Sequence, residues 1–280
     1  MAPKIIYGTA WKKERTTSLV VSAVLNGFRA IDTAAQLKHY REDLVGEALS
    51  ILYEQHGIKR EDLYLQTKYT SIGGQDKNLP LPYNPSDPIK EQLLSSFNTS
   101  LKNLRTTYLD GYVLHSPLHT YAQTLEARRT LAALQDEGKI RRIGLSNVYD
   151  EALLQRLGEE TGRPVQIVQD RWYEGNGWDA PVVEWCNRNG VQFQGFWTLT
   201  GSPVLLQHPT VATLAQETSC TPAQILYRFA QLLGITPLSG TTNETHMQED
   251  VCVEEIKLSL DDFKELTELI KSWQYTRRPL

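Results

Sequence analysis

The 280-residue chain has only three cysteines, Cys186, Cys220 and Cys252, and no two of them form a C-x-x-C pair. An odd, scattered set excludes a disulfide scaffold and a cysteine-built zinc site, and it suits a reducing cytosol. Each cysteine is expected to be a small core residue. No apolar run approaches the ~20 residues of a membrane span, and the start Met1-Ala-Pro-Lys-Ile-Ile carries no signal peptide. A cytoplasmic protein is the expectation. Positive charge is not in excess: 29 Lys+Arg against 33 Asp+Glu give a net charge of −4. That balance gives no reason to expect nucleic acid or an anionic membrane as partner. The first turn, Gly8-Thr9-Ala10-Trp11, is not G-x-G-x-x-G, and a Walker A loop is absent, which counts against an open nucleotide-binding sheet. His-x-His clusters are missing too, so a metal-dependent hydrolase is not favoured and no metal is expected. With no short repeat period and no break in composition, one domain over 1–280 is expected.

What is present is alternation. Hydrophobic residues make up 40% of the chain, enough for a large core. Eight strand-like apolar runs, at 5–8, 28–32, 63–68, 111–115, 143–147, 165–169, 191–196 and 235–238, are each followed by a helix-like run. The run 42–56 places Leu44, Val45, Ala48, Leu49 and Leu52 on one helical face, with Gly57 as its stop. Ile89, Leu93, Phe97, Leu101 and Leu104 form another such stripe, preceded by Asp87 as an expected N-cap and Pro88 at the first helical position. Asp179 is expected to cap a later helix, with Pro181 in its first turn. Further helices are expected at 17–25, 121–137, 151–157, 221–233, 245–251 and 260–273. Strands alternating with helices imply a parallel sheet, and eight units imply closure into a (β/α)8 barrel. The polar stretch 70–87, with Gly73, Gly74 and Pro80, Pro82 and Pro85, is long for a loop. It leaves the C-terminal end of a strand and is a candidate lid.

Asp32, Lys68 and His115 end three of the strand-like runs, the face of a barrel where chemistry sits. Tyr40 lies in the loop after the first. A tyrosine titrates near ~10, and a neighbouring Lys68 ammonium is expected to lower that value. Asp32 pairs with Lys68 in this reading, and His115 hydrogen-bonds a substrate oxygen or helps pass a proton. The set makes a proton donor for a developing alkoxide.

These residues and their neighbours resemble the aldo-keto reductase superfamily over nearly the full length. The resemblance rests on Asp32-Thr-Ala, on Tyr40 before Glu42 and Val45-Gly46-Glu-Ala-Leu49, and on Lys68 in Gln-Thr-Lys. His115-Ser-Pro117, Gly144-Leu-Ser-Asn147, Gln169 and Trp197 continue it. So does Gly240-Thr-Thr-Asn243 with its following helix. It implies NADP(H) as cofactor, with NAD(H) left open. Ser146, Asn147 and Gln169 would meet the nicotinamide carboxamide, and Trp197 would stack on the ring. The full cofactor-binding set implied is Gly8, Thr9, Asp32, Ser146, Asn147, Gln169, Trp197, Thr198, Leu199, Gly240, Thr241, Asn243, His246, Glu249 and Asp250.

Three departures from that family pattern stand out. Tyr40 follows Asp32 by eight positions where about five is usual, and counting back from Gly46 brings His39 to the tyrosine position. Tyr40 is taken as the acid because a phenol is needed, with His39 as the alternative. The N-terminal hairpin that often plugs the barrel bottom is missing. Where many members clamp the cofactor's 2′-phosphate with Lys and Arg, this chain has Gly240 and His246, beside the acidic Glu244, Glu249 and Asp250.

The substrate expected is a small carbonyl or alcohol compound, with Trp11, Tyr69, His115, Leu118, His119 and Trp172 lining its pocket. Tyr173 is a further candidate. An aromatic-rich pocket suits a bulky apolar or aromatic carbonyl. A monomer is expected, as is common in the family. Two other readings use the same residues: a lyase, isomerase or cyclase with Tyr40 and His115 as acid and base, or a regulatory protein that binds the cofactor without turnover.

Overall fold

The computed structural model describes residues 3–276. Eight parallel strands close into a barrel, each paired with the next in sequence and β8 with β1. They are β1 (Ile6–Gly8), β2 (Ala30–Asp32), β3 (Tyr64–Tyr69), β4 (Leu109–Leu114), β5 (Ile140–Ser146), β6 (Ile167–Arg171), β7 (Gln192–Phe196) and β8 (Ile235–Ser239). The helices are α1 (Thr16–Leu25), α2 (Glu42–Gln55), α3 (Ile89–Asn103), α4 (Tyr121–Asp136), α5 (Glu151–Thr161), α6 (Ala180–Asn189), α7 (Pro203–Leu206), α8 (Pro209–Glu217), α9 (Pro222–Leu232), α10 (Glu244–Val251) and α11 (Leu260–Thr276). No described helix is long and apolar enough to cross a membrane.

The strands are short apolar segments whose outward faces meet the helices. Ile31, Leu65, Leu114, Ile143, Val168 and Phe193 are fully buried and join one continuous core with Val45, Leu49, Leu93, Leu131 and Phe229 of the helices. Burying each such side chain contributes roughly 1.5–3 kcal/mol. The inward face differs. On β3, Gln66 and Lys68 point inward while Thr67 and Tyr69 point out, as strand alternation requires: Thr67 donates to Glu42 of α2 at 2.6 Å and Tyr69 to Gln92 of α3 at 3.1 Å. The helix-facing side is mostly apolar, and polar side chains fill the interior around Asp32 and Lys68. Gly144 of β5 is a position where only glycine fits, because a Cβ there would lie 2.3 Å from the Ile167 carbonyl oxygen of β6.

Several local expectations are corrected. Asp87 is not a helix cap: Pro88 holds the cap position of α3, and the Asp87 carboxylate accepts from Asn84 instead. Asp179 stands at the start of α6 in a left-handed conformation and makes no side-chain cap bond. Two helices, α7 and α8, fill the stretch after β7 where none was expected. Cys186 is buried, but Cys252 is exposed rather than part of the core. Residues 70–87 are tied to neighbouring segments. Tyr83 buries its ring against Tyr69 and donates to the Thr70 carbonyl at 2.7 Å, while Gln36 donates to the Gly74 carbonyl and Gln75 to that of Ala35. The segment braces the Tyr40 loop from outside.

Candidate active site

A cavity of about 1200 Å³ opens over the C-terminal ends of the strands. Asp32, Tyr40 and His115 line its floor, with Ser146, Asn147 and Gln169 beside them and Trp11, His39 and Trp197 on its walls. It continues past Gly8 and Leu199 to a second end at Ser239–Thr242, His246, Glu249 and Asp250.

Lys68 lies beneath this floor, 1% exposed. Its ammonium donates to Asp32 Oδ2 at 2.5 Å and to the Thr33 carbonyl at 2.9 Å. Asp32 Oδ1 accepts from Gln66 at 2.8 Å and Gln169 at 2.9 Å, and both amides also donate to Gln194 Oε1. A buried ion pair of this kind stands only when its remaining lone pairs are satisfied. The glutamines satisfy them. They also use up the amide nitrogen of Gln169, leaving its oxygen for a ligand.

The extra residues between Asp32 and Tyr40 form a compact turn. Thr33 and Ala35 donate backbone bonds to Gln66 and Lys68 of β3, then His39 and Tyr40 both donate to the Gln36 carbonyl. The turn carries the Tyr40 ring to 5.1 Å from the Lys68 ammonium and sets it edge-on to His115, with ring centroids 5.9 Å apart. His39, the alternative acid, stacks instead on Trp11 at 3.7 Å between centroids. The expected fall in the Tyr40 pKa does not occur. Burial first, and then the Asp32 charge, push the phenol above its ordinary value. Burial also lowers the Lys68 pKa, against the pull of Asp32. His115 falls to about 3, chiefly through burial and then through Lys68, so its ring is neutral. Its Nδ1 lies 2.7 Å from the Thr70 hydroxyl.

The remaining expected residues divide. Ser146 donates to the Gln169 carbonyl at 2.5 Å, and Asn147 donates to the His115 carbonyl at 2.8 Å. Trp11, Asn147 and Trp197, all on the cavity wall, have left-handed backbones with φ of 64°, 51° and 63°. Such strain costs about 1–3 kcal/mol per residue and concentrates at functional sites. Thr198 and Thr241 also line the cavity. Seven expected residues do not, among them Tyr173, whose ring packs edge-on against Trp197. Thr9 is buried, donating to the Asp32 carbonyl at 2.9 Å. Asn243 caps α10 by accepting from the His246 amide. Tyr69 faces α3, and Trp172 packs against Phe229 in the helix layer. Leu118 packs into the core and His119 is exposed at the start of α4. Sequence reasoning missed Gln66 and Gln194 within the barrel, Arg171 over the Trp197 ring at 4.7 Å, and Lys12.

The model of the aldo/keto reductase family matches residues 4–271. The chain belongs to the aldo/keto reductase family. An uncharacterized oxidoreductase of Bacillus subtilis, YtbE, is 30% identical over 250 residues, 89% of this chain and 82% of its own length. An aldo/keto reductase from Brucella melitensis has a similar structure, with a TM-score of 0.80 at 27% identity over 95% of each chain. A Bombyx mori aldo-keto reductase in complex with NADP shares the fold, with a TM-score of 0.80 at 23% identity, covering 95% of this chain and 89% of that one. The fold and the family together make this chain an oxidoreductase of the carbonyl-reducing type.

Proposed function

We propose that this chain reduces an aldehyde or ketone to the alcohol, with NADPH as hydride donor and Tyr40 as proton donor. The observation that carries the reading is the Tyr40 ring at the cavity floor, stacked over the buried Lys68–Asp32 pair and edge-on to neutral His115. The residues along the cavity fit a dinucleotide. Ser146, Asn147 and Gln169 offer a hydroxyl and amides, Trp197 offers a half-exposed ring face, and the cavity runs on to Gly240 and His246. The NADP complex of the Bombyx mori relative supports the choice of cofactor. When bound, that group supplies the hydride.

The protein's part is acid catalysis and positioning. As charge grows on the substrate oxygen, Tyr40 gives up its proton, and the Lys68 ammonium below stabilises the phenolate left behind. A Thr70 hydroxyl that donates to Nδ1 would leave the proton of neutral His115 on Nε2, where it can orient the substrate oxygen as a donor. Asp32 holds Lys68 in place. Trp11, Tyr40, His115 and Trp197 enclose the reacting space and suit an aromatic or apolar carbonyl.

Loss of NADPH absorbance over a panel of aldehydes and ketones tests the proposal. No consumption by any member, with the protein folded and the cofactor bound, would overturn it. Turnover without cofactor would favour acid–base chemistry of the lyase or isomerase kind.

A further inference from the structure

The far end of the cavity poses a charge problem. Its β8–α10 side, from Ser239 to Asp250, offers no lysine or arginine; Gly240 has no side chain, and Glu249 and Asp250 are acidic. Opposite it, the segment between β1 and α1 lines the cavity with Lys12, Lys13 and Arg15 and with the acidic Glu14. Lys13 and Arg15 are exposed, whereas Lys12 is only 8% exposed.

The Lys12 side chain crosses the groove and donates to the Gly240 carbonyl. Its Nζ lies where a side chain at position 240 would reach: a Cβ built on Gly240 would be 3.8 Å from it. Below, the ammonium stands 5.6 Å from the Tyr7 ring centroid, and the Tyr7 hydroxyl donates to the Thr241 carbonyl at 2.9 Å. Among the described residues no carboxylate lies within 4.0 Å of Lys12. A buried ammonium with one carbonyl partner keeps two unused N–H donors and lacks an anion, which is costly. Burial, and then Arg15, push its pKa down to about 8, as expected of a cation that lacks its counterion.

We infer that Lys12 binds the 2′-phosphate of the cofactor and thereby sets a preference for NADPH over NADH. The inference rests on the proposed hydride-transfer reading. A phosphate monoester carries about −1.5 to −2 charges at neutral pH, whereas a ribose hydroxyl carries none. A single desolvated ammonium therefore separates the two cofactors, and lysine serves phosphate as a compact point charge. Lys13 and Arg15 add a weaker, solvent-screened field at the rim.

Titration of the apo protein with NADPH and with NADH, followed by tryptophan fluorescence, tests this in the wild type, Lys12→Met and Lys12→Arg. In the wild type NADPH binds at least about tenfold more tightly than NADH. Lys12→Met loses about tenfold in NADPH affinity while NADH stays within about twofold, and Lys12→Arg keeps most of the preference. The phosphate-bearing fragment 2′,5′-ADP outcompetes 5′-AMP in the wild type and loses that advantage in Lys12→Met. If Lys12→Met does not fold by its melting curve, Lys12→Gln, which retains a donor to the Gly240 carbonyl, must show the same selective loss. Equal weakening of both cofactors, no change for NADPH, or wild-type binding of NADH as tight as NADPH overturns the inference and leaves the reductase reading standing. Binding of neither cofactor by the folded wild type removes both.

Discussion

The two ends of the cavity are built differently. At the reacting end, Asp32, Lys68, Gln66, Gln169 and Gln194 sit on strands, are almost fully buried and hold one another by a closed set of hydrogen bonds. At the other end, Lys12, Gly240, Thr241 and His246 sit on connecting segments and a short helix, joined across the groove by the Lys12–Gly240 bond. The charge that supports the proton donor must be positioned closely and is held on the rigid barrel wall, whereas Tyr40 itself sits on the turn after β2. The proposed phosphate contact lies on connecting segments, which vary more readily than the strands of the fold. The reacting end should therefore fail as a unit, and the far end should fail selectively.

Tyr40→Phe carries the largest effect. It removes the acid alone, so turnover falls by about 10²–10⁴-fold while the titrated affinity for NADPH stays near that of the wild type. Activity close to wild type would move the acid role elsewhere, with His39 the first alternative. Lys68→Met comes next. It strips a buried carboxylate of its cation, at a cost of about 3–5 kcal/mol in stability, measured as a fall in the urea midpoint, together with loss of turnover. An unchanged midpoint would show that Asp32 does not depend on Lys68. Lys12→Met, by contrast, should act on cofactor choice, with NADPH affinity falling about tenfold and NADH affinity staying within about twofold.

The smallest effect concerns the support beneath the reacting end. Asp170, next to Gln169, accepts from the Val148 amide at 2.9 Å and so holds the segment after Asn147. Burial first, and then the neighbouring Asp179 charge, raise its carboxyl to about 8; burial raises Asp179 to about 7. Unfolded aspartates titrate near ~3.9, so between these values the folded state binds more protons. This contribution is complete below about pH 4 and is lost as pH rises towards 8. His115, lowered to about 3, acts in the opposite sense and adds stability as pH rises from about 3 to 6.5. Urea unfolding of the wild type and Asp179→Asn between pH 4 and 8 separates the two. The variant's stability should fall less with pH, by on the order of 2 kcal/mol over the range. Parallel curves would contradict the raised carboxyls.

The barrel was legible in the sequence because eight apolar runs alternate with amphipathic ones, and a parallel sheet has few other ways to be covered. Asp32, Lys68 and His115 were legible because polar residues ending apolar runs have few structural reasons to be there. The failures have a common cause. Tyr69 follows an inward Lys68 and must point outward, so its aromatic character misled. Trp172 likewise turned into the helix layer. Gln66 and Gln194 look like surface residues in one dimension, and only barrel closure brings them onto Asp32. Lys12 lies 228 residues from Gly240 in sequence, and no local pattern joins them.

The central claim is that the reacting end transfers a hydride to a carbonyl carbon while Tyr40 supplies the proton. Incubation with NADPH deuterated at the transferable nicotinamide position, followed by mass and NMR analysis of the product, tests it most directly. The account predicts one deuterium per turnover, on the carbinol carbon of the alcohol, with Tyr40→Phe giving almost none. Product formed without deuterium, or label retained in the cofactor while substrate is consumed, would contradict it.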